Sequence, residues 1–389
     1  EILDIEQALS QQGHFCLLDW LLAESFLPYS DYEKWRCGDI ATLDKHIKLE
    51  KTDLLKLANQ VEAFTAALQL QQISEDYYAW SSGQDSLLTA SQHKPLNQAL
   101  TQQWKRHQDL PQMDLFMDNA ASIAENALCH GLSVRNFKQA QTQLEKLTAL
   151  NATHEKLGGY QDLINYGYHM ANPAISPQAI ATELQALESE VLPLAKTLLK
   201  HSARDYLAFA WRRLERNLGD TPFEPNKEKL HRSYVLMQIP DWEALDICLK
   251  AENQHYQQTT LLLRSALCSE ALKHLHHALL CWCLLMELDP KKAETAIEAK
   301  TSNLVWHLWQ RFWDTEDSDN MPIEFFPAYI FKQQPGLIHH LDAVPPLQSP
   351  ATRAFISAIQ ARQGGGDQIV ARKQMQQISP SLLAMYLNA

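Results

Sequence analysis

The residues with the clearest capacity for chemistry lie in one short run, HLHHALLCWC, at 274–283. Imidazole nitrogen and thiolate sulfur are the donors that zinc and copper prefer. On a helix His274, His277 and Cys281 fall at i, i+3 and i+7 and so share one face. A closed site needs a fourth donor, and Cys268 and His255 are the candidates. Cys283 points to another side of the helix. Two features weigh against a metal. The chain has no CxxC pair, and Ala278 and Leu285 share the face with the three candidates. The expectation is a packed helix face with no metal and no cofactor, with His274, His277 and Cys281 as the ligands if a metal is present.

A second constellation is aromatic. LVWHLWQRFW, 304–313, sets Trp306, Trp309 and Trp313 on one stripe and Val305, Leu308 and Phe312 on the next. So wide an apolar face either packs in a core or forms a groove for a partner helix or extended peptide. Trp306, Trp309, Phe312 and Trp313 are the partner-binding candidates. DTEDSDN, 314–320, gathers four acidic residues. It lacks the paired-aspartate spacing that holds magnesium in all-helical isoprenoid enzymes, and it reads as an exposed loop. No Walker-type loop, dinucleotide fingerprint, HExxH, GxSxG or EF-hand loop occurs. The expectation is that the chain is not an enzyme and has no catalytic residues.

The elements that must position these residues are helices. The 12 glycines in 389 residues fall far below the usual share of about 7%. Leu, Ala, Gln, Glu and Lys, all good helix formers, are plentiful. Helical periodicity runs through FCLLDWLLAESF, through YSDYEKWRCGD with Gly38 as its C-terminal cap, and through TDLLKLANQVEAFTAALQLQQ with Thr52 or Asp53 as its N-cap. Breaks are expected at 81–95, 171–177, 218–226, 314–322, 344–350 and Gly364–Gly366. Almost no sheet is expected.

Three segments share a longer pattern. ENALCHGLSVRNFKQAQTQLEKLTALNATHEKL, LHRSYVLMQIPDWEALDICLKAENQH and LLRSALCSEALKHLHHALLCWCLLMELDPKKAE each read as helix, short turn, helix. The second helix opens with Phe137/Ala140, Trp242/Leu245 and Leu275/Ala278, and the last two pairs are offset by 33 residues. A period near 34 marks stacked helix–turn–helix units. Here the chain resembles the tetratricopeptide repeat family. Ala266 and Ala278 match its small positions, Trp282 its aromatic and Pro290 its terminating proline. The chain departs from the family at Leu285 and Leu147, where a second alanine is usual. It departs again at Leu128, where glycine is usual, and at Ala152 and Gln257, where proline is usual. Residues 170–225 do not keep the step.

Charge narrows the partners. The formal net charge is −12, whereas a nucleic-acid binder carries a basic footprint. None of the chain's short basic runs (KWRC, RHQ, WRRLER, ARK) is long or dense enough, and WRRLER at 211–216 reads as a solvated helix face with an apolar stripe. No apolar window reaches the eighteen residues of a spanning helix. Neither nucleic acid nor membrane insertion is expected. The seven cysteines, odd in number and irregular in spacing, fit a reducing cytoplasm.

The sequence therefore predicts an all-α chain, an irregular superhelix of antiparallel helix pairs resembling tetratricopeptide repeats. Its expected divisions are an N-terminal helical region at 1–108, the array at 109–344 and a C-terminal helical cap at 345–389. The resemblance implies an interaction scaffold or adaptor that binds a partner peptide or helix in a concave groove. The alternatives are an all-helical metal protein or enzyme using the His/Cys cluster, and a self-associating structural subunit.

Overall fold

A computed structural model describes residues 5, 9, 14–74, 76–80, 86–105, 118–314 and 321–387. The acidic run 315–320 and the start of the expected loop at 81–85 lie outside these residues. Helix makes up 71% of the chain, so it is all-helical, with few strands. The residues sort into two compact units, Glu1–Thr221 with Lys229–Asp241, and Pro222–Glu228 with Trp242–Ala389. No described helix is long and apolar enough to cross a membrane.

Unit 1 opens with β1 (Phe15–Cys16), α1 (Leu17–Ala23), α2 (Tyr29–Cys37), α3 (Lys51–Ala67), β2 (Gln71–Ser74), α4 (Lys94–Thr101) and β3 (Gln102–Lys105). The strands form an antiparallel sheet in the order β1-β3-β2, with Trp104 of β3 opposite both Phe15 and Gln72. This corrects two helix expectations. FCLLDWLLAESF gives its first two residues to β1, and Ser25 at φ 58° lies just past the end of α1. The third helix stops at Ala67; Gln69 at φ 52° turns the chain, and Gln71–Ser74 leaves as a strand. The helix also starts at Lys51, too early for a Thr52 or Asp53 cap. Gly38 does cap α2. Its φ of 85° lets its N–H reach Trp35 O, and the Asp39 N–H reaches Lys34 O, both at 2.9 Å.

Unit 1 continues through α5 (Asp118–Ser133), α6 (Phe137–Leu150), α7 (Leu157–His169), α8 (Ile180–Ala186), α9 (Leu192–Leu199), α10 (Ala203–Leu218) and α11 (Arg232–Gln238). Residues that break the 34-residue step contain a wide helical turn, Leu187–Val191, between α8 and α9. They also contain Lys200, whose φ of 52° and ψ of −118° separate α9 from α10.

Unit 2 holds α12 (Trp242–Ala251), α13 (Thr259–Ala271), α14 (Leu275–Leu288), α15 (Pro290–Glu298), α16 (Asn303–Trp313), α17 (Phe326–Gln333), α18 (Pro350–Gln363), α19 (Ile369–Ile378) and α20 (Pro380–Leu387). ELDP is the turn its sequence suggests. Leu288 ends α14, the Asp289 carboxylate accepts from the Lys292 N–H at 3.1 Å, and Pro290 occupies the first turn of α15.

The two complete hairpins, α5/α6 and α13/α14, turn in the same way. Arg135 and Lys273, each two residues before the second helix, have φ of 62° and 64°. The following N–H reaches back five residues in both, from Asn136 to Gly131 O and from His274 to Ser269 O, each at 2.8 Å. Ala140 and Ala278 are fully buried at matching positions. The close approach in the first hairpin falls at Gly131, not at position 128. A Cβ on Gly131 would lie 3.0 Å from Ala140 N. In the second segment α11 belongs to unit 1 and α12 to unit 2.

Candidate functional site

The sequence-chosen His/Cys residues are only partly brought together. His274 is exposed at the N-cap of α14. His276, next to it, stacks on His340 with centroids 4.3 Å apart. His277 is the hub of a hydrogen-bonded chain. The Ser269 hydroxyl lies 2.7 Å from its Nδ1, and its Nε2 lies 2.9 Å from the Tyr256 hydroxyl, which donates to Ala343 O at 3.2 Å. One neutral tautomer, protonated on Nε2, satisfies every member. Burial, and then the Lys250 charge, lower the His277 pKa, which favours that neutral form.

Cys281 lies 3.8 Å from both His277 nitrogens, but its thiol is fully buried and its pKa is pushed far up. Burial raises Cys268 to about 12, and its thiol donates to Trp242 O at 3.2 Å. Cys283 is raised further still. His255 lies against the Tyr256 ring with centroids 3.9 Å apart. Burial favours the thiol form of each of these sulfurs, and both His277 nitrogens have hydrogen-bond partners. Among the described residues no three His, Cys, Asp or Glu side chains converge to hold a metal ion.

The aromatic helix α16 divides. Trp309 and Phe312 sit in the unit 2 core, where Phe326 meets them edge-on at 4.9 and 5.4 Å between centroids. A partner cannot reach them, which removes both from the proposed groove. Trp306 is half-buried under Lys300, whose Nζ lies 5.1 Å from the ring centroid, and Trp313 is 38% exposed.

A different site lies in unit 1, built on α10. The run WRRLER, expected to be solvated, is mostly inside. Arg212 pairs with Glu33 at 2.8 Å and Asp241 at 2.6 Å, Arg213 with Glu183 at 3.2 Å, and Glu215 with Arg232 at 2.6 Å. One turn and more upstream, Arg36 pairs with Asp205, and Tyr32 donates to the same carboxylate at 2.9 Å. Arg204 joins this network, with Nη2 3.0 Å from the Tyr32 hydroxyl and Nη1 2.6 Å from Asp19. Burial alone raises the Asp19 pKa, but the Arg204 charge and the His14 contact outweigh it and hold the carboxyl well below its usual range. Arg135 is stacked on Trp80, 3.9 Å from the ring centroid, and burial lowers its pKa to about 10.

These pairs hold α10 in place, and one of its faces lines a cavity of about 710 Å³. The buried part of the lining is mostly apolar, with Leu22, Leu207, Ala208, Trp211 and Ile239, and it includes His14 and Tyr29. The exposed part carries Lys196 and Lys200, with half-buried Arg204, Asp19 and His201 beside them. Sequence reading missed this site because its parts come from α1, α2, α9, α10 and the end of α11. Only the mixture of charge and bulk in ARDYLAFAWRRLER, too rich for a one-sided surface helix, hints at it. No protein-family model, curated protein or solved structure matches the chain.

Proposed function

We propose that the chain is a protein–protein interaction scaffold whose helix pairs are units of a tetratricopeptide-like superhelix. One observation carries the reading. The α5/α6 and α13/α14 hairpins, far apart in sequence, repeat the same left-handed turn residue, the same five-residue back-bond and the same buried alanine. Identical turns with small residues at matching positions are how stacked pairs keep a constant step, and stacked pairs expose a long surface suited to peptides and helices. The His277 chain is internally satisfied, which favours this reading over the metal or enzyme alternative.

The partner fitting this reading is a peptide or helix with a basic stretch, given the net charge of −12. Its contact on α16 reduces to Trp306 and Trp313. The test is affinity capture from native cell extract, comparing wild type with Trp306→Ala/Trp313→Ala at equal helical content. A protein held by wild type and lost by the variant supports the groove. Equal retention by both, or none by either, overturns it.

A further inference from the structure

We infer that the unit 1 cavity binds an amphipathic organic anion, with its carboxylate or phosphate head at Lys196, Lys200 and Arg204 and its apolar body against Leu207, Trp211 and Ile239. This goes beyond the scaffold reading and does not depend on it. The lining holds three permanent cations, Lys196, Lys200 and Arg204, against one carboxylate, Asp19. Arg204 is already committed to Asp19 at 2.6 Å. Lys196 and Lys200 enter no ion pair among the described residues. The lining therefore keeps a surplus of two positive charges (three minus one) inside a chain whose net charge is −12. Cations set over apolar walls focus their field into the opening, because the walls screen poorly.

Three further observations point to a ligand. A volume of about 710 Å³ lies within the range of small-molecule sites, about 300–1,000 Å³. Tyr29 lines the cavity, and its buried hydroxyl meets no hydrogen-bond partner among the described residues. A buried polar group left unpaired is costly, and a ligand atom or a water in the cavity would complete it. Lys200 holds a backbone of φ 52° and ψ −118°, a conformation that costs about 1–3 kcal/mol in a non-glycine residue and persists mainly at working sites. The strained residue is one of the two lysines that would grip the head.

Isothermal titration calorimetry on the full chain tests this, with octyl phosphate, octanoate and 1-octanol at submicellar concentrations. Wild type is expected to bind at least one anion tenfold or more tightly than the alcohol. Lys196→Gln/Lys200→Gln, with an unchanged circular dichroism spectrum, is expected to lose that preference. Tighter octyl phosphate assigns a phosphate head, and tighter octanoate a carboxylate. Equal binding of octanol, an anion preference that survives in the variant, or no binding of any of the three overturns the assignment.

Discussion

The Phe137 ring occupies the space that a side chain at position 167 would need. A Cβ built on Gly167 would lie 2.2 Å from its Cε1. The aromatic that opens α6 is thus received by a bare backbone on α7. Gly167→Ala forces the ring out of its place, and overpacking of this kind costs about 1–3 kcal/mol. Urea denaturation should show the loss, and Phe137→Leu should recover part of it in the double variant. An unchanged midpoint for the single variant would contradict the packing.

The two faces of α16 should separate in the same assay. Trp309 is enclosed by Phe312, Trp313 and Phe326, and truncating a buried Trp costs about 3–5 kcal/mol. Trp309→Ala is expected to fall in that range. Trp306→Ala, half on the surface, should lose far less. Similar losses for the two would show that Trp309 is not in the core.

Asp205 neutralises Arg36, and both are buried. Asp205→Asn keeps the shape and removes the charge, leaving a buried guanidinium without its counter-ion. Breaking such a pair from one side costs about 3–5 kcal/mol. Asp205→Asn/Arg36→Met should recover much of it, measured by chemical denaturation. If the double variant is no better than the single one, the penalty does not come from a stranded charge.

His277 makes unit 2 sensitive to mild acid. Its folded pKa lies below the ordinary value of 6.5, as does that of His255, with burial the largest cause for each. The unfolded chain then binds more protons than the folded one as pH falls through about 6.5. The contribution is complete above that pH and is lost below it. Unfolding free energy measured between about pH 7.5 and pH 5 should decline for wild type and decline less steeply for His277→Gln. Parallel slopes would rule the imidazole out as the source.

Much of the helical frame was legible because it rests on local rules. Gly38, the ELDP turn and the breaks around 171–177, 218–226 and 344–350 follow from capping and turn chemistry that a short window contains. The two early strands were not legible, since Phe15–Cys16 is a strand only because Gln103 and Trp104 lie beside it. The close approach lies at Gly131, one turn beyond Leu128, because it is set by where Ala140 of α6 crosses α5. In HLHHALLCWC residue type suggests ligands, while the fold buries Cys281 and Cys283 and gives His277 two hydrogen-bond partners, which a short window does not contain. The cavity was invisible for the opposite reason. Lys196, Lys200, Arg204 and Asp19 are ordinary in type and acquire meaning only when α1 and α10 meet.

The ion pairs of α10 also set an order of events during synthesis. Asp19, Glu33 and Arg36 find their partners in Arg204, Arg212 and Asp205, so these three residues must wait for residues near 210 to emerge from the ribosome. At about 5–20 residues per second, that wait is roughly 10–40 s. For this chain α1 and α2, made early, gain these charge partners only when α10 has been made.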